Sequence, residues 1–160
     1  SRRFVGTTPV RAALWSGTFV EGWAVYAEEL VAGLLLQVAP DDLATLALRM
    51  QQLKMQLRST INAILDVRVH TRGMSEDEAM RLMTGRGHQE VGEAAGKWRR
   101  ALLTSTQLST YYVGYREVLA LTRDLRAARP ATGPRAVHDE VLAHGSPPPL
   151  LLRVLLELPG

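Results

Sequence analysis

Arg58, Asn62, Asp66 and His70 stand at intervals of four. On a helix, residues i and i+4 stack along one face. Their neighbours Leu57, Ile61, Leu65 and Val69 are apolar, so a polar stripe runs beside a core-facing one. Such a stripe is either a solvated face with local Arg–Asp and Asp–His pairs, weak when exposed, or the lining of a cleft. In a cleft the aspartate would orient the histidine, or the arginine would grip a carboxylate with its planar fork. Gln107, Tyr111 and Tyr115 repeat the same interval, with Tyr112 beside them and Gly114 between. They are either interhelix packing with hydroxyls at the surface or a hydroxyl aimed at a developing oxyanion. In Glu21-Gly22-Trp23-Ala24-Val25-Tyr26-Ala27-Glu28 the two outer glutamates share a helix face two turns apart. Carboxylates among small and aromatic residues need a partner: an arginine, a metal or a shared proton. Structural ion pair and functional site stay equally open.

Other chemistries find less support. Of His70, His88, His138 and His144, no two lie four apart, and there is no H-E-x-x-H. His138, followed by Asp139 and Glu140, reads as a polar helix face, and His88 as the start of a helix. Gly85-Arg86-Gly87 is too short for a phosphate loop, and no G-x-S-x-G elbow occurs. The absence of cysteine excludes disulfides, a thiolate nucleophile and cysteine-ligated metal. The formal charge is +3 and the pI about 9.7, with 17 arginines against 2 lysines. The arginines are scattered among acidic residues, which argues against nucleic-acid binding. No apolar run reaches the roughly 18 residues of a membrane span, and the first stretch lacks a signal-peptide pattern. A soluble chain is expected, with the cytoplasm favoured.

The elements that would carry these residues are helical throughout. Residues 1–15, with Gly6 and Pro9, read as an irregular lead-in. Ser16 or Thr18 can cap a helix over EGWAVYAEELVAGLLLQ. Pro40-Asp41-Asp42 breaks the chain and restarts it with acidic groups at the positive helix end. One long helix is predicted over about 42–71, with Leu43, Leu46, Leu53, Leu57, Ile61, Ile64 and Leu65 recurring at three and four, and Gly73 ends it. Ser75 and Glu78 have capping-box spacing ahead of a short helix over 75–84. Further helices fit about 88–103, 107–128 (capped from Thr104-Ser105-Thr106), 135–144, and a Leu-rich segment after the Pro147–Pro149 turn. No alternating β-branched run appears. The class is all-α, an irregular array of about six to seven helices.

EGWAVYAE resembles the E-G-W-A-x-Y-A-E signature of a bacterial domain-of-unknown-function family whose members resemble helical zinc metallopeptidases. NAILDVRVHTRGMSEDEAMRLM, QLSTYYVGY and VHDEVLAHGSPPPLLL are similar to further family segments in the same order. In that family an upstream H-E-x-x-x-G-H-H would supply histidine ligands and a catalytic glutamate, and the E-G-W-A helix the remaining carboxylate. Two imidazoles and a carboxylate leave one zinc position open for water. The resemblance implies Glu21 as metal ligand, Glu28 as the group holding a histidine ligand or an arginine, and Tyr111 as stabiliser of the tetrahedral oxyanion. His70 joins Tyr111 as a catalytic candidate. Arg58, Asp66, Gln107 and Tyr112 are candidates for substrate contact or for support of the site. Asn62 departs from the arginine expected there in many members, which leaves the substrate class open.

The histidine motif is absent from these 160 residues. The chain is therefore expected to be the C-terminal half of a longer protein, inactive and free of zinc by itself. Its partners would be the missing N-terminal half and, in the full-length form, a peptide or amide substrate. Apolar surface left open by the missing half would favour a homo-oligomer. The competing class is a non-enzymatic helical interaction module that keeps the fold without the chemistry.

Overall fold

The computed structural model describes residues 14–159. All the predicted lead-in but its last two residues lies outside them. Among the described residues there are seven α-helices, one π-helical turn and no strand, as the periodicity predicts. Helix α1 (Gly17–Val38) starts where Ser16 Oγ accepts the Phe19 N–H at 3.3 Å, so Ser16 rather than Thr18 is the cap. Asp42 caps α2 (Leu43–Arg72) by accepting the Thr45 N–H at 2.8 Å. Gly73 closes that helix at φ 59, a left-handed conformation that glycine adopts without a Cβ penalty.

Ser75 and Glu78 form the predicted capping box on α3 (Glu76–Met80). The helix does not run on to 84. It widens into a π-helical turn, Arg81–Arg86, in which the Gly87 N–H reaches back five residues to Leu82 O. α4 (Val91–Leu103) starts three residues later than predicted because His88 sits at φ 49, which no right-handed helix passes through. α5 (Thr110–Ala128), α6 (Pro134–Leu142) and α7 (Pro149–Leu155) follow, the last two with proline in the first turn.

The chain forms two compact units. Of the described residues, one unit comprises 14–26 and 114–159. Its buried core includes Phe19, Val118, Leu121, Leu125, Val141 and Leu152. The other, 27–113, packs Ile61 and Leu65 of α2 with Ala79, Leu82, Met83, Trp98 and Leu108. The predicted core-facing stripe of α2 is thus correct only for its C-terminal half. Leu43 is 82% exposed, and Leu46, Leu53 and Leu57 are exposed too. The α1 residues Val31, Leu34, Leu35 and Val38 are likewise exposed. This unit closes its hydrophobic core around Ile61 and beyond, and in the first four turns of α2 it buries Thr45 and Gln52 while the leucines stay exposed.

Candidate functional site

The unit formed by 14–26 and 114–159 places the E-G-W-A motif. Its glycine sits where two helix backbones meet. A Cβ built on Gly22 would lie 2.6 Å from the Cα of Gly114 and closer still to that residue's carbonyl group. A Cβ on Gly114 would lie 3.0 Å from the Cα of Gly22 and would strike the Thr18 carbonyl oxygen. The two motif glycines therefore permit a backbone-to-backbone crossing of α1 and α5. Beside it, Trp23 packs on Phe19 (5.9 Å between ring centroids) and Tyr26 (5.6 Å). His138 of α6 stands edge-on to Trp23 (5.8 Å) and Tyr26 (5.6 Å), and its Nε2 shares a 2.8 Å hydrogen bond with the Tyr26 hydroxyl. His138 is not the polar surface residue expected. Burial, followed by the nearby Arg126 charge, lowers its pKa below the usual histidine value, against the weaker pull of Asp139. Glu21, next to the crossing, is half-buried, and its carboxylate has no hydrogen bond or ion pair among the described residues.

In the 27–113 unit the polar stripe divides into two sets. Asp66 is 2% exposed. Its carboxylate accepts the Thr106 N–H (3.2 Å), the Ser109 N–H (3.0 Å) and the Ser109 hydroxyl (2.9 Å). The cap for the start of α5 thus comes from a carboxylate 40 residues away. The Thr104 and Thr106 hydroxyls instead donate to Arg100 O and Ser105 O. Thr106 is held at φ 65, a strained value for a β-branched residue. His70 Nε2 donates to Thr104 O at 2.9 Å and lies 3.5 Å from Asp66. Asp66 and His70 therefore meet as predicted, around a loop they both hold.

Arg58 belongs to the other set and pairs with Glu93 of α4. Glu93 is also 3.3 Å from Lys97, whose ammonium donates to Gln89 Oε1 at 2.7 Å. Burial first, then the Arg58 charge, lowers the Lys97 pKa. Asn62 Oδ1 and Gln89 Nε2 are buried without a hydrogen-bond partner among the described residues. Gln107 is exposed and accepts the two-pronged fork of Arg100 at 3.2 and 2.8 Å. Tyr111 and Tyr112 are half-buried, and Glu28 is exposed.

Among the described residues no three His, Cys, Asp or Glu side chains gather as a metal site requires. Glu21, whose carboxylate has no partner among the described residues, has the donor chemistry of one such ligand. No described helix is long and apolar enough to cross a membrane.

The model of a family described as bacterial protein of unknown function (DUF885) matches residues 2–156. Among solved structures, the chain is similar to one described as "a putative lipoprotein of unknown function" from Shewanella oneidensis, with 34% identity and a TM-score of 0.81. The match covers 94% of this chain and 27% of that one, so the chain spans about a quarter of that relative. No curated protein matches.

Proposed function

For a chain that belongs to the DUF885 family of bacterial proteins of unknown function, we propose a role as the C-terminal part of a zinc-dependent hydrolase acting on peptide or amide bonds. One observation supports this reading: Glu21 has a half-buried carboxylate, without a partner among the described residues, on a helix held by the Gly22–Gly114 crossing and the Trp23–Tyr26–His138 cluster. A ligand has to be held within a fraction of an ångström, and that kind of packing holds it. Bound zinc would polarise the scissile carbonyl and lower the pKa of water. This chain contributes the carboxylate donor at Glu21 and a hydroxyl at Tyr111, free of partners among the described residues, to donate to the oxyanion. Asp66 and His70 position the loop that starts α5, the helix that carries Tyr111. Glu28 extends the Glu21 face by two turns. The histidine ligands would come from a preceding part of the polypeptide, so the 160 residues alone would be inactive.

A second reading rests on the exposed leucines of α1 and α2. An apolar surface of this kind marks a place where protein packs. The first occupant to consider is the remainder of the family polypeptide, with self-association as the outcome in its absence. The relative's description as a lipoprotein favours the bacterial envelope over the cytoplasm, and cell fractionation distinguishes the two.

The test compares a longer family protein that contains this chain with its Glu21→Ala variant. Zinc content and peptide hydrolysis should both be lost in the variant. Unchanged zinc and activity would refute Glu21 as ligand.

A further inference from the structure

A groove of about 820 Å³ lies within the 27–113 unit, lined by α2, the N-terminal turn of α3 and the start of α5. That volume lies within the range of ordinary small-ligand sites. Its floor is apolar, with Ile64, Val67, Met74 and Val113 among its residues. Arg68 and Arg72 stand at its edge one turn apart on α2. Neither guanidinium makes an ion pair or hydrogen bond among the described residues, although the Arg68 charge acts at longer range on Glu78. The α2 C-terminal dipole favours a cation at Arg72, but it leaves both planar forks unoccupied.

We propose that this groove binds the C-terminal end of a short apolar peptide, with Arg68 and Arg72 on its carboxylate and the apolar floor under its last side chain. Arginines at i and i+4 lie close enough to share one carboxylate, and guanidinium–carboxylate contact is the strong, two-pronged kind. Two further groups favour a peptide over an alkyl carboxylate. The Tyr112 hydroxyl lines the groove. So does Glu78, whose Oε2 is held by the Ser75 N–H and hydroxyl, leaving the other oxygen without a partner. An alkyl chain would bury both without hydrogen bonds, at a cost; a peptide amide satisfies them. The Glu78 charge also disfavours a second anionic group. The inference needs no metal and stands independently of Glu21.

The test is an NMR titration of the 160-residue chain in EDTA with N-acetyl-leucyl-phenylalanine, its C-terminal amide, and decanoate. The acid should bind saturably and shift resonances of Ile64, Val67, Met74 and Tyr112. The amide should bind roughly tenfold more weakly or worse, the usual consequence of losing a charged hydrogen bond. Arg68→Gln and Arg72→Gln should each weaken the acid by a similar factor and leave the amide unchanged, with amide dispersion confirming that the variants fold. Equal binding of acid and amide, unaltered binding by the variants, decanoate as tight as the dipeptide, or no saturable shift would each overturn the proposal. EDTA keeps the outcome separate from the zinc reading, which is tested on zinc content in the longer protein.

Discussion

Replacing Gly22 by alanine adds one methyl group where two helix backbones already touch. That Cβ would lie 2.6 Å from the Gly114 Cα. Bringing this contact alone to an ordinary 3.4 Å separation requires α1 and α5 to part by about 0.8 Å, and the nearer carbonyl group requires more. The obstacle is backbone, so no rotamer change relieves it. Overpacking of this kind costs about 1–3 kcal/mol, and parting the helices also loosens neighbours such as Phe19 and Tyr115. Alanine returns about 1 kcal/mol through helix propensity. Contacts this short with backbone place the cost at the upper end of that range, about 3 kcal/mol, so the net expectation is a loss of about 2 kcal/mol, or a fall of about 1 M in the urea midpoint at a slope of ~2 kcal/mol/M. Gly96, in the interior of α4, has nothing within 4 Å of a built Cβ. Gly96→Ala should therefore raise stability by about 0.5–1 kcal/mol from propensity alone, moving the midpoint upward by about 0.25–0.5 M at the same slope. Opposite signs from the same substitution in two helices are the signature of the crossing. A neutral or stabilising Gly22→Ala would refute it, and because stability is the readout, the result does not depend on what Glu21 does.

Asp66→Ala should cost about 2 kcal/mol, because it strands two part-buried N–H groups and releases the Thr106 conformation; a urea midpoint within error of the parent would show that the loop holds itself. The pH dependence at His138 has a definite sign. Its folded pKa is depressed, so the unfolded state binds the proton first. That contribution to stability is complete above the unfolded value near 6.5 and declines as pH falls from there toward the folded pKa. His138→Gln should flatten the acid limb between pH 7 and 5, and an unchanged limb would assign it to other groups. Leu34→Lys with Leu53→Lys should shift the chain toward monomer in sedimentation if the exposed leucines drive self-association. A parent chain monomeric at high concentration would end that explanation.

The fold class and helix order were legible because periodicity and caps are local: Asp42, Ser75 with Glu78, and Gly73 act within four residues of where they sit. The π-helical turn and the late start of α4 were not, since both depend on backbone geometry around Gly85–His88 that periodicity does not encode. The cap of α5 was misplaced for a related reason. Thr104, Ser105 and Thr106 have the right side chains, but a buried carboxylate from α2 is a stronger acceptor than any hydroxyl, and its proximity is tertiary information. His138 was missed because its flanking Asp139 and Glu140 look solvated, while one turn of α6 turns the imidazole onto Trp23 and Tyr26. Arg68 and Arg72 carried a signal that could have been read: an i,i+4 arginine pair one position beyond the apolar Val67.

The stripe Arg58, Asn62, Asp66 and His70 shows how one spacing can hide two tasks. Equal intervals place all four on one face, and a cleft lining was the functional reading. The partners differ along the stripe, because its twelve-residue span from Arg58 to His70 rises about 18 Å and successive turns meet different neighbours. Arg58 meets Glu93 on α4, whereas Asp66 and His70 meet the 104–109 loop. Between them Asn62 keeps a buried oxygen without a partner. Most buried polar atoms in folded proteins are satisfied, so that oxygen stands as an exception at the junction between the two sets.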